Sequence, residues 1–266
     1  QIMDLNAKKS GEIDLPVQFS EAVRPDLIKR SVLSLQSRAR QAYGSDPNAG
    51  MRHSSKLSKR RRKYRGCYGF GISRVNRKIH TRRGTRFFWV GTFSPQTRGG
   101  RRAHAPKAEK DFEQKINAKE NKKAIRSAIA ASINAKLAFE RGHNVPENFP
   151  FILDNSFEEI VKTLDLQKSL IALGLKDELS RASNKNVRPG RGKTRGRKYK
   201  RTKGPLIVVS KDCPLIKSAA NVAGIDIVLC HAINTELLAP GADVGRLTLW
   251  TKAAVEQVAE NGLFNN

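Results

Sequence analysis

Long apolar runs are missing from this 266-residue chain. No stretch approaches the roughly 18 consecutive apolar residues that a membrane-spanning helix needs. Gln1-Ile2-Met3-Asp4 also lacks the basic start and apolar core of a secretory leader. A membrane-embedded or secreted protein is therefore not expected. Cysteine is scarce: Cys67, Cys213 and Cys230 form no CxxC pair and are odd in number, which argues against a disulfide framework or a zinc finger. His53, His80, His104, His143 and His231 offer no metal-ligand pair at helical spacing and read as ordinary imidazoles. Catalytic signatures are missing too, with no GxSxG, no HExxH and no GxGxxG after a strand. Asp154, Asp212 and Asp226 fall at or near expected strand ends, where α/β enzymes place functional groups. None has a partnered histidine, and caps and turns account for them. No enzyme is expected.

Acidic side chains are the most informative shortage. The chain has 51 Lys and Arg against 24 Asp and Glu, a formal charge of +27. Such a charge repels itself in a compact state and calls for an acidic partner. It is also unevenly placed. Residues 47–108 carry 18 basic side chains and no acid, and residues 179–211 carry 12 and again no acid. These two spans hold 30 of the 51 basic residues, leaving 21 basic against 24 acidic in the other 171, a balance of −3. The expected organisation is a nearly neutral body, residues 1–46 with 109–266, carrying one long basic insert at 47–108 and a second basic loop at 179–211.

The body alternates helix and strand. Ile28, Val32, Leu35, Ala39 and Ala42 stand at helical spacing within residues 22–43, stopping at Gly44. Ala124, Ile125, Ala128, Ile129 and Ile133 predict another helix over 118–141, ending at Gly142. Phe151-Ile152-Leu153 reads as a short buried strand, and Ser156 with Glu159 as a capping box opening the next helix. Then follow a strand at 206–209, a helix near 214–223, a strand at 225–229, a strand at 247–250 and a helix over 252–261. Short continuous apolar strands between helices predict a mostly parallel sheet covered on both faces, a three-layer α/β/α fold. A body of that size buries roughly 70% of its unfolded surface and should fold alone.

The long insert shows no sustained period of 3.6 or 2, and eight of its residues are glycine. Ordering it would cost about 1–2 kcal/mol per residue in backbone entropy. As a hairpin of two arms it could extend roughly 100 Å, enough to enter a large RNA. Its charge is interleaved with rings: 7 of the 17 aromatics lie here. The candidate RNA-binding residues are Arg52, Lys59, Arg60, Arg61, Arg62, Lys63, Tyr64, Arg65, Tyr68, Phe70 and Arg74, followed by Arg77, Lys78, Arg82, Arg83, Arg86, Trp89, Arg98, Arg101, Arg102, His104 and Lys107. Cations meet phosphates while rings and guanidinium planes stack on unpaired bases. In the second loop the candidates are Arg188, Arg191, Lys193, Arg195, Arg197, Lys198, Tyr199, Lys200 and Arg201. Gly192-Lys193-Thr194 invites a nucleotide-loop reading, but that motif needs glycine at position 187, which is Val187. A second phosphate-binding loop is the plainer reading.

These inserts resemble the ribosomal protein L-four family of the large subunit, in its archaeal form. The resemblance rests on Arg62-Lys63-Tyr64-Arg65-Gly66-Cys67-Tyr68-Gly69-Phe70-Gly71-Ile72-Ser73-Arg74 and on Gly99-Gly100-Arg101-Arg102-Ala103-His104-Ala105-Pro106-Lys107. It continues in 117–131, in Arg191-Gly192-Lys193-Thr194-Arg195-Gly196-Arg197-Lys198-Tyr199 and in 234–241, covering the chain in order. Eukaryotic members carry a long C-terminal extension, and an end at Asn266 fits the archaeal type. Where members often have glycines before the basic tip, this chain has Lys56-Leu57-Ser58-Lys59-Arg60.

The resemblance implies a body on the outer face of the large subunit. It also implies a loop threaded through ribosomal RNA to line part of the nascent-peptide tunnel, and an early role in assembly. The tunnel candidates are the stretch 59–66, Lys59 through Gly66. Expected partners are large-subunit ribosomal RNA and neighbouring tunnel proteins in the cytoplasm, with no membrane, small-molecule substrate or homo-oligomer. No cofactor is expected; structural magnesium or potassium ions would belong to the RNA. Two other readings compete: an RNA-processing enzyme with basic substrate-holding loops, and a free regulator that binds messenger RNA.

Overall fold

The computed structural model describes residues 1–265. In chain order its elements are β1 (Ile2–Met3), β2 (Lys9–Gly11), α1 (Pro25–Arg38), β3 (Arg77–Arg83), β4 (Arg86–Gly91), α2 (Ala118–Ser132), α3 (Ala135–Glu140), β5 (Ile152–Leu153), α4 (Thr163–Ala172) and α5 (Lys176–Ser183). They continue with β6 (Lys185–Val187), β7 (Tyr199–Arg201), β8 (Leu206–Val209), α6 (Pro214–Ala220), β9 (Asp226–Leu229), α7 (Thr235–Leu238), β10 (Thr248–Thr251) and α8 (Lys252–Glu260). Two compact units emerge, one of residues 1–39 with the described residues from 113 onward and one of residues 40–112.

The first unit is built on a sheet of order β2-β1-β5-β10-β8-β9. Every neighbouring pair is parallel except β1 with β2. Register places Ile2, Ile152, Trp250, Val208 and Val228 in one row across the strands. That row packs with Ile28 and Val32 of α1, Ile125 and Ile129 of α2, and Val255 and Val258 of α8. One residue before or after that row, Leu153, Ile207, Val209 and Leu249 point to the other face and pack with Leu166 and Leu170 of α4 and Leu215 of α6. The period-2 alternation of side chains thus puts one core on each side of the sheet. The α/β/α three-layer fold follows directly, and β8 and β10 are buried along their whole length.

Several boundaries differ from the sequence reading for identifiable reasons. The helix expected over 22–43 begins at Pro25, which suits the first helical position, and ends at Arg38. The helix expected over 118–141 is broken at Ile133-Asn134, where the Asn134 carboxamide oxygen accepts from the Lys136 and Leu137 amides and starts a new helix. No capping box forms at Ser156 and Glu159. Asp154 caps a short 3-10 turn instead, accepting from the Ser156 amide at 3.3 Å and its hydroxyl at 2.9 Å. Residues 179–211 are not a loop throughout: they begin inside α5 and end beyond core strand β8, leaving the β6–β7 hairpin as the projecting part. The long insert, which shows no sustained period in sequence, contains the β3–β4 hairpin.

Both roots of the inserts are fixed within the first unit. The Ser34 hydroxyl donates to the Gln114 carbonyl at 2.6 Å, Ser37 Oγ accepts from the Gln114 amide at 2.9 Å, and Arg38 pairs with Glu113 at 2.7 Å. The chain therefore leaves and re-enters the body at one clasped point. At the root of the second hairpin, Glu178 is fully buried. It accepts from Arg181 at 2.6 and 2.8 Å and from the Asn144 amide at 2.9 Å, and it lies 2.7 Å from His143 Nδ1. Arg181 also donates to the Lys203 carbonyl at 2.9 Å, while Lys203 and the buried Arg246 pair with Asp226 at 2.8 and 2.6 Å. These contacts hold both strands of the hairpin where they join the body.

Burial alone would raise the Glu178 carboxyl, but the hydrogen bonds from Arg181 and His143 outweigh it and hold the group below its ordinary value. A depressed carboxyl stabilises the fold fully above its ordinary value of 4.5 and loses that contribution as pH falls through the lower folded value. Glu178→Gln is expected to lower unfolding free energy by about 3 kcal/mol at neutral pH, because it breaks a buried pair. The variant should also show a flatter loss of stability below pH 4.5 than the wild-type chain. Chemical denaturation across pH 3–7 measures both effects, and equal pH profiles would contradict this account.

Candidate nucleic-acid interface

Residues 40–112 form a unit with no acidic side chain between Asp46 and Glu109, so most of its cations need other partners. At its base the Phe112 ring stacks on Tyr43 with centroids 5.5 Å apart, and the Arg40 guanidinium lies 4.5 Å from the same ring. The two arms then run side by side: the Ser45 amide donates to the Pro106 carbonyl at 2.9 Å. A Cβ at Gly44 would meet the Ala108 nitrogen at 2.3 Å, and one at Gly50 would meet the Arg101 Cα at 2.6 Å. Glycine is needed at both because the arms approach so closely.

Beyond the arms lies the basic stretch 56–75. The Lys56 amide bonds to the Arg77 carbonyl at 3.1 Å, tying this stretch to the start of β3. Lys59 Nζ donates to the carbonyls of Cys67 at 3.2 Å and Ile72 at 2.9 Å, while the Cys67 amide donates back to the Ser58 carbonyl at 2.8 Å. Cys67 is fully buried beneath this closure. Within it Gly66 N–H donates to the Lys63 carbonyl at 3.0 Å, and Arg62 and Arg65 take positive φ values of 53° and 56°. The tight turn drives the side chains of Arg60, Arg61, Arg62, Lys63, Tyr64 and Arg65 outward, and all six are exposed.

The β3–β4 hairpin stands beside this turn. The Arg65 guanidinium lies 5.5 Å from the Tyr64 ring and 5.7 Å from the Phe87 ring, and Arg82 lies 5.7 Å from Phe87 on the other strand. Tyr64 meets Phe87 edge-on at 5.5 Å, and Phe87 leans on Trp89 at 6.1 Å. Ring faces attract guanidinium groups by about 0.5–1 kcal/mol at exposed sites. Here they supply the contacts that carboxylates give elsewhere.

The sequence-derived candidates therefore divide. Arg60, Arg61, Arg62, Lys63, Tyr64, Arg65, Tyr68, Phe70, Arg74, Arg82, Arg83, Arg86, Arg98, Arg102, His104 and Lys107 are exposed. Others are engaged by the chain itself. Lys59 closes the turn, Arg52 pairs with Asp46, Arg77 donates to Ser73 Oγ at 2.7 Å, and Arg101 packs over Phe93 at 5.8 Å. Lys78 and Trp89 are half-buried on the hairpin. Phe87 and Phe88 were not among the candidates. The signal for them was the alternation of Phe87, Trp89 and Gly91 with Arg86, Phe88 and Val90 after a Gly84-Thr85 turn.

In the first unit, β6 and β7 pair Lys185 with Arg201, Asn186 with Lys200 and Val187 with Tyr199. Lys185 Nζ lies 3.7 Å from the Tyr199 ring. Arg188 donates to the Arg197 carbonyl at 3.1 Å, closing the hairpin end from within. Arg191, Lys193, Arg195, Arg197, Lys198, Tyr199, Lys200 and Arg201 are all exposed. Gly192-Lys193-Thr194 sits in a 3-10 turn between two edge strands, without the strand and helix that a nucleotide loop requires.

The carboxyl ends of the main strands, where α/β enzymes place their chemistry, are occupied by structural bonds. Glu158 is buried and accepts from the Ser210 amide at 3.0 Å and the Thr251 hydroxyl at 2.7 Å. Asp154 caps a turn, and Asp226 lies at the opposite, amino end of β9 in its pairs with Lys203 and Arg246. Among the described residues no three His, Cys, Asp or Glu side chains gather where they could hold a metal ion.

The first unit carries the basic β6–β7 hairpin, and the second unit the basic β3–β4 hairpin. The family model described as "Ribosomal protein L4/L1 family" matches residues 13–261. The chain belongs to this family. It is accordingly a ribosomal structural protein and not an enzyme. Its relatives include proteins named "Large ribosomal subunit protein uL4". That of Nanoarchaeum equitans is 47% identical over 264 residues, covering 99% of this chain and 98% of the relative. That of Methanococcoides burtonii is 44% identical over 264 residues, with 99% and 98% covered. That of Methanocaldococcus jannaschii is 43% identical over 261 residues, with 97% of each covered. The archaeal resemblance seen in the basic motifs thus extends over nearly the full length.

The turn at 59–72 generates a direct test. Replacing Lys59 with Met removes both side-chain bonds to the Cys67 and Ile72 carbonyls. A lost hydrogen bond to a charged donor costs about 1–3 kcal/mol, so amide exchange at Cys67 is expected to accelerate at least about fivefold. Unchanged exchange at that amide would show that Lys59 does not hold the turn.

Proposed function

We propose that this chain is a structural constituent of the large ribosomal subunit, located with it in the cytoplasm. It binds large-subunit ribosomal RNA through both basic hairpins, supports subunit assembly, and borders the nascent-peptide tunnel with the stretch 59–66. The observation that carries the reading is the pair of acid-free spans with 18 and 12 cations. Arg52, Arg181 and Lys203 pair with Asp46, Glu178 and Asp226; the spans themselves supply no carboxylate to the other 27 of their 30 cations, so phosphates complete their charge. Phosphate contacts of this kind supply affinity without sequence information and position a protein on its RNA. The relatives' names support the subunit, and the tight turn that turns six consecutive basic and aromatic side chains outward supports 59–66 as the tip. The partners are ribosomal RNA and neighbouring tunnel proteins. No cofactor is assigned to this chain; any structural magnesium or potassium ion would be held by the RNA.

Lysate sedimentation tests the reading with Lys63→Glu beside the wild type. Lys63 is exposed on the turn. Reversing its charge replaces an attraction to phosphate worth about 4 kcal/mol at 4 Å and an effective dielectric of 20 with a repulsion. The other 17 cations of the span still hold the protein. Both chains are expected to travel with large subunits, and the variant subunits to show altered stalling on arrest peptides. A wild-type chain that sediments free of large subunits contradicts the subunit assignment. Unchanged stalling, with the tip unmoved in the variant ribosome, contradicts the tunnel assignment.

A further inference from the structure

The β3–β4 hairpin has two faces of unlike fate. Cross-strand register pairs Arg82 with Phe87, Ile79 with Trp89 and Arg77 with Gly91. Residues directly opposite in an antiparallel pair share a face, and the register shift between Ile79 and Thr81 returns Arg82 to the side of Ile79, so these six lie together. The chain covers part of this face itself: Tyr64 and Arg65 pack on Phe87, and a Cβ at Gly91 would lie 3.1 Å from Thr97 and 4.0 Å from Val75, while Ile79 and Arg82 stay exposed. The opposite face holds the remaining pairs, Lys78 with Val90, Thr81 with Phe88 and Arg83 with Arg86. On this face Lys78 is half-buried, while Thr81 and Arg83 are exposed. Along β4, Arg86, Phe88 and Val90 are exposed while Phe87, Trp89 and Gly91 are half-buried. Phe88 keeps 43% of its surface in water and Val90 39%.

An isolated two-stranded ribbon is marginal in water, and an apolar side chain left open on it gains nothing for the fold. The composition of the open face says what would cover it. A ring and a valine lie in the middle, a hydroxyl stands opposite the ring, and three cations lie around them, in a span without any acid. A protein partner's apolar patch would leave Lys78, Arg83 and Arg86 to be paired separately. An unpaired nucleotide satisfies the whole set, with its base on the ring and its flanking phosphates on the cations. Flat rings on an open sheet face are a recurring device for splayed-out bases.

We infer that the open face of the β3–β4 hairpin is a base-stacking site for unpaired RNA. Phe88 carries the stack, and Lys78, Arg83 and Arg86 hold the adjoining phosphates. This rests on the RNA-binding reading above and adds the class of RNA. The partly covered face, with Phe87 and Trp89, shapes the hairpin and does not stack.

Binding of the full chain to a single-stranded oligouridylate and to a paired RNA duplex of equal charge tests the inference. Stacking is worth about 1–3 kcal/mol per base. Phe88→Ala is therefore expected to weaken binding to the single strand at least about fivefold and to leave duplex binding unchanged. Phe88→Trp should restore the single-strand affinity, and Phe88→Leu, apolar but without a ring face, should not. Because Phe88 is half-exposed, the variants are expected to keep wild-type melting temperatures. A Phe88→Leu variant that binds like wild type overturns the stacking site, as does an equal loss on strand and duplex or no loss in Phe88→Ala. If the wild-type chain binds neither RNA, the broader RNA-binding reading fails with it, an outcome distinct from any result with Phe88 variants alone.

Discussion

The constraint on which the rest of this structure depends is uncompensated positive charge. In the body, cations are met by carboxylates: Arg246 and Lys203 share Asp226, Arg181 is held by Glu178, and Arg126 pairs with Glu21 at 2.9 Å. Arg181 and Lys203 belong to the second acid-free span, and Arg52 of the first pairs with Asp46; for the other cations the spans supply no acid, and local geometry answers with neutral groups. Lys59 uses the carbonyls of Cys67 and Ile72, Arg82 uses the Gly84 carbonyl at 2.7 Å, and Arg188 uses that of Arg197. Arg65, Arg101 and Lys185 lie over rings. Carbonyls and ring faces hold a side chain in place but leave its full charge directed outward. A surface organised this way is shaped before it meets its partner and remains strongly attractive to an anion.

That arrangement changes the energetics of association. A 62-residue loop without structure would lose its backbone entropy entirely upon binding. Here the clasp at Ser34, Ser37 and Gln114, the close passage at Gly44 and Gly50, the Lys59 closure and the β3–β4 hairpin have already fixed much of the path. The second hairpin is fixed at its root by Glu178 and Asp226. The first unit has a core of its own, with one apolar cluster on each face of the sheet.

Much of the body was legible because its strands are continuous apolar runs. Leu206-Ile207-Val208-Val209 and Leu247-Thr248-Leu249-Trp250 could hardly be anything but buried strands, and helices stood between them. β1 was not legible, since two residues, Ile2 and Met3, are too short to show a period, and their place in the sheet is set by pairing with Ile152 and Leu153. The break at Asn134 was hidden because Ile133 continued the apolar spacing, while the Asn134 cap depends on a side-chain bond. In β3 only Ile79 is apolar among basic and polar neighbours, so the strand period was masked, and register alone reveals its two faces. Composition marked the acid-free spans as the interface. It could not separate Lys59, which is engaged by its own chain, from Lys63, which faces outward. Nor could helical spacing announce that Glu178 is fully buried, because the partners that permit this, His143 and Arg181, meet it only in the fold.

The central claim is that the free charge of the two hairpins is the binding device. The salt dependence of the full chain's affinity for large-subunit ribosomal RNA tests it most directly. If about six to ten phosphates are neutralised, the logarithm of the association constant should fall against the logarithm of salt concentration with a slope of about −5 or steeper. Between 50 and 200 mM salt that corresponds to a loss on the order of a thousand-fold or more. A slope near zero would contradict the account, because binding would then owe nothing to the 30 cations gathered in the two acid-free spans.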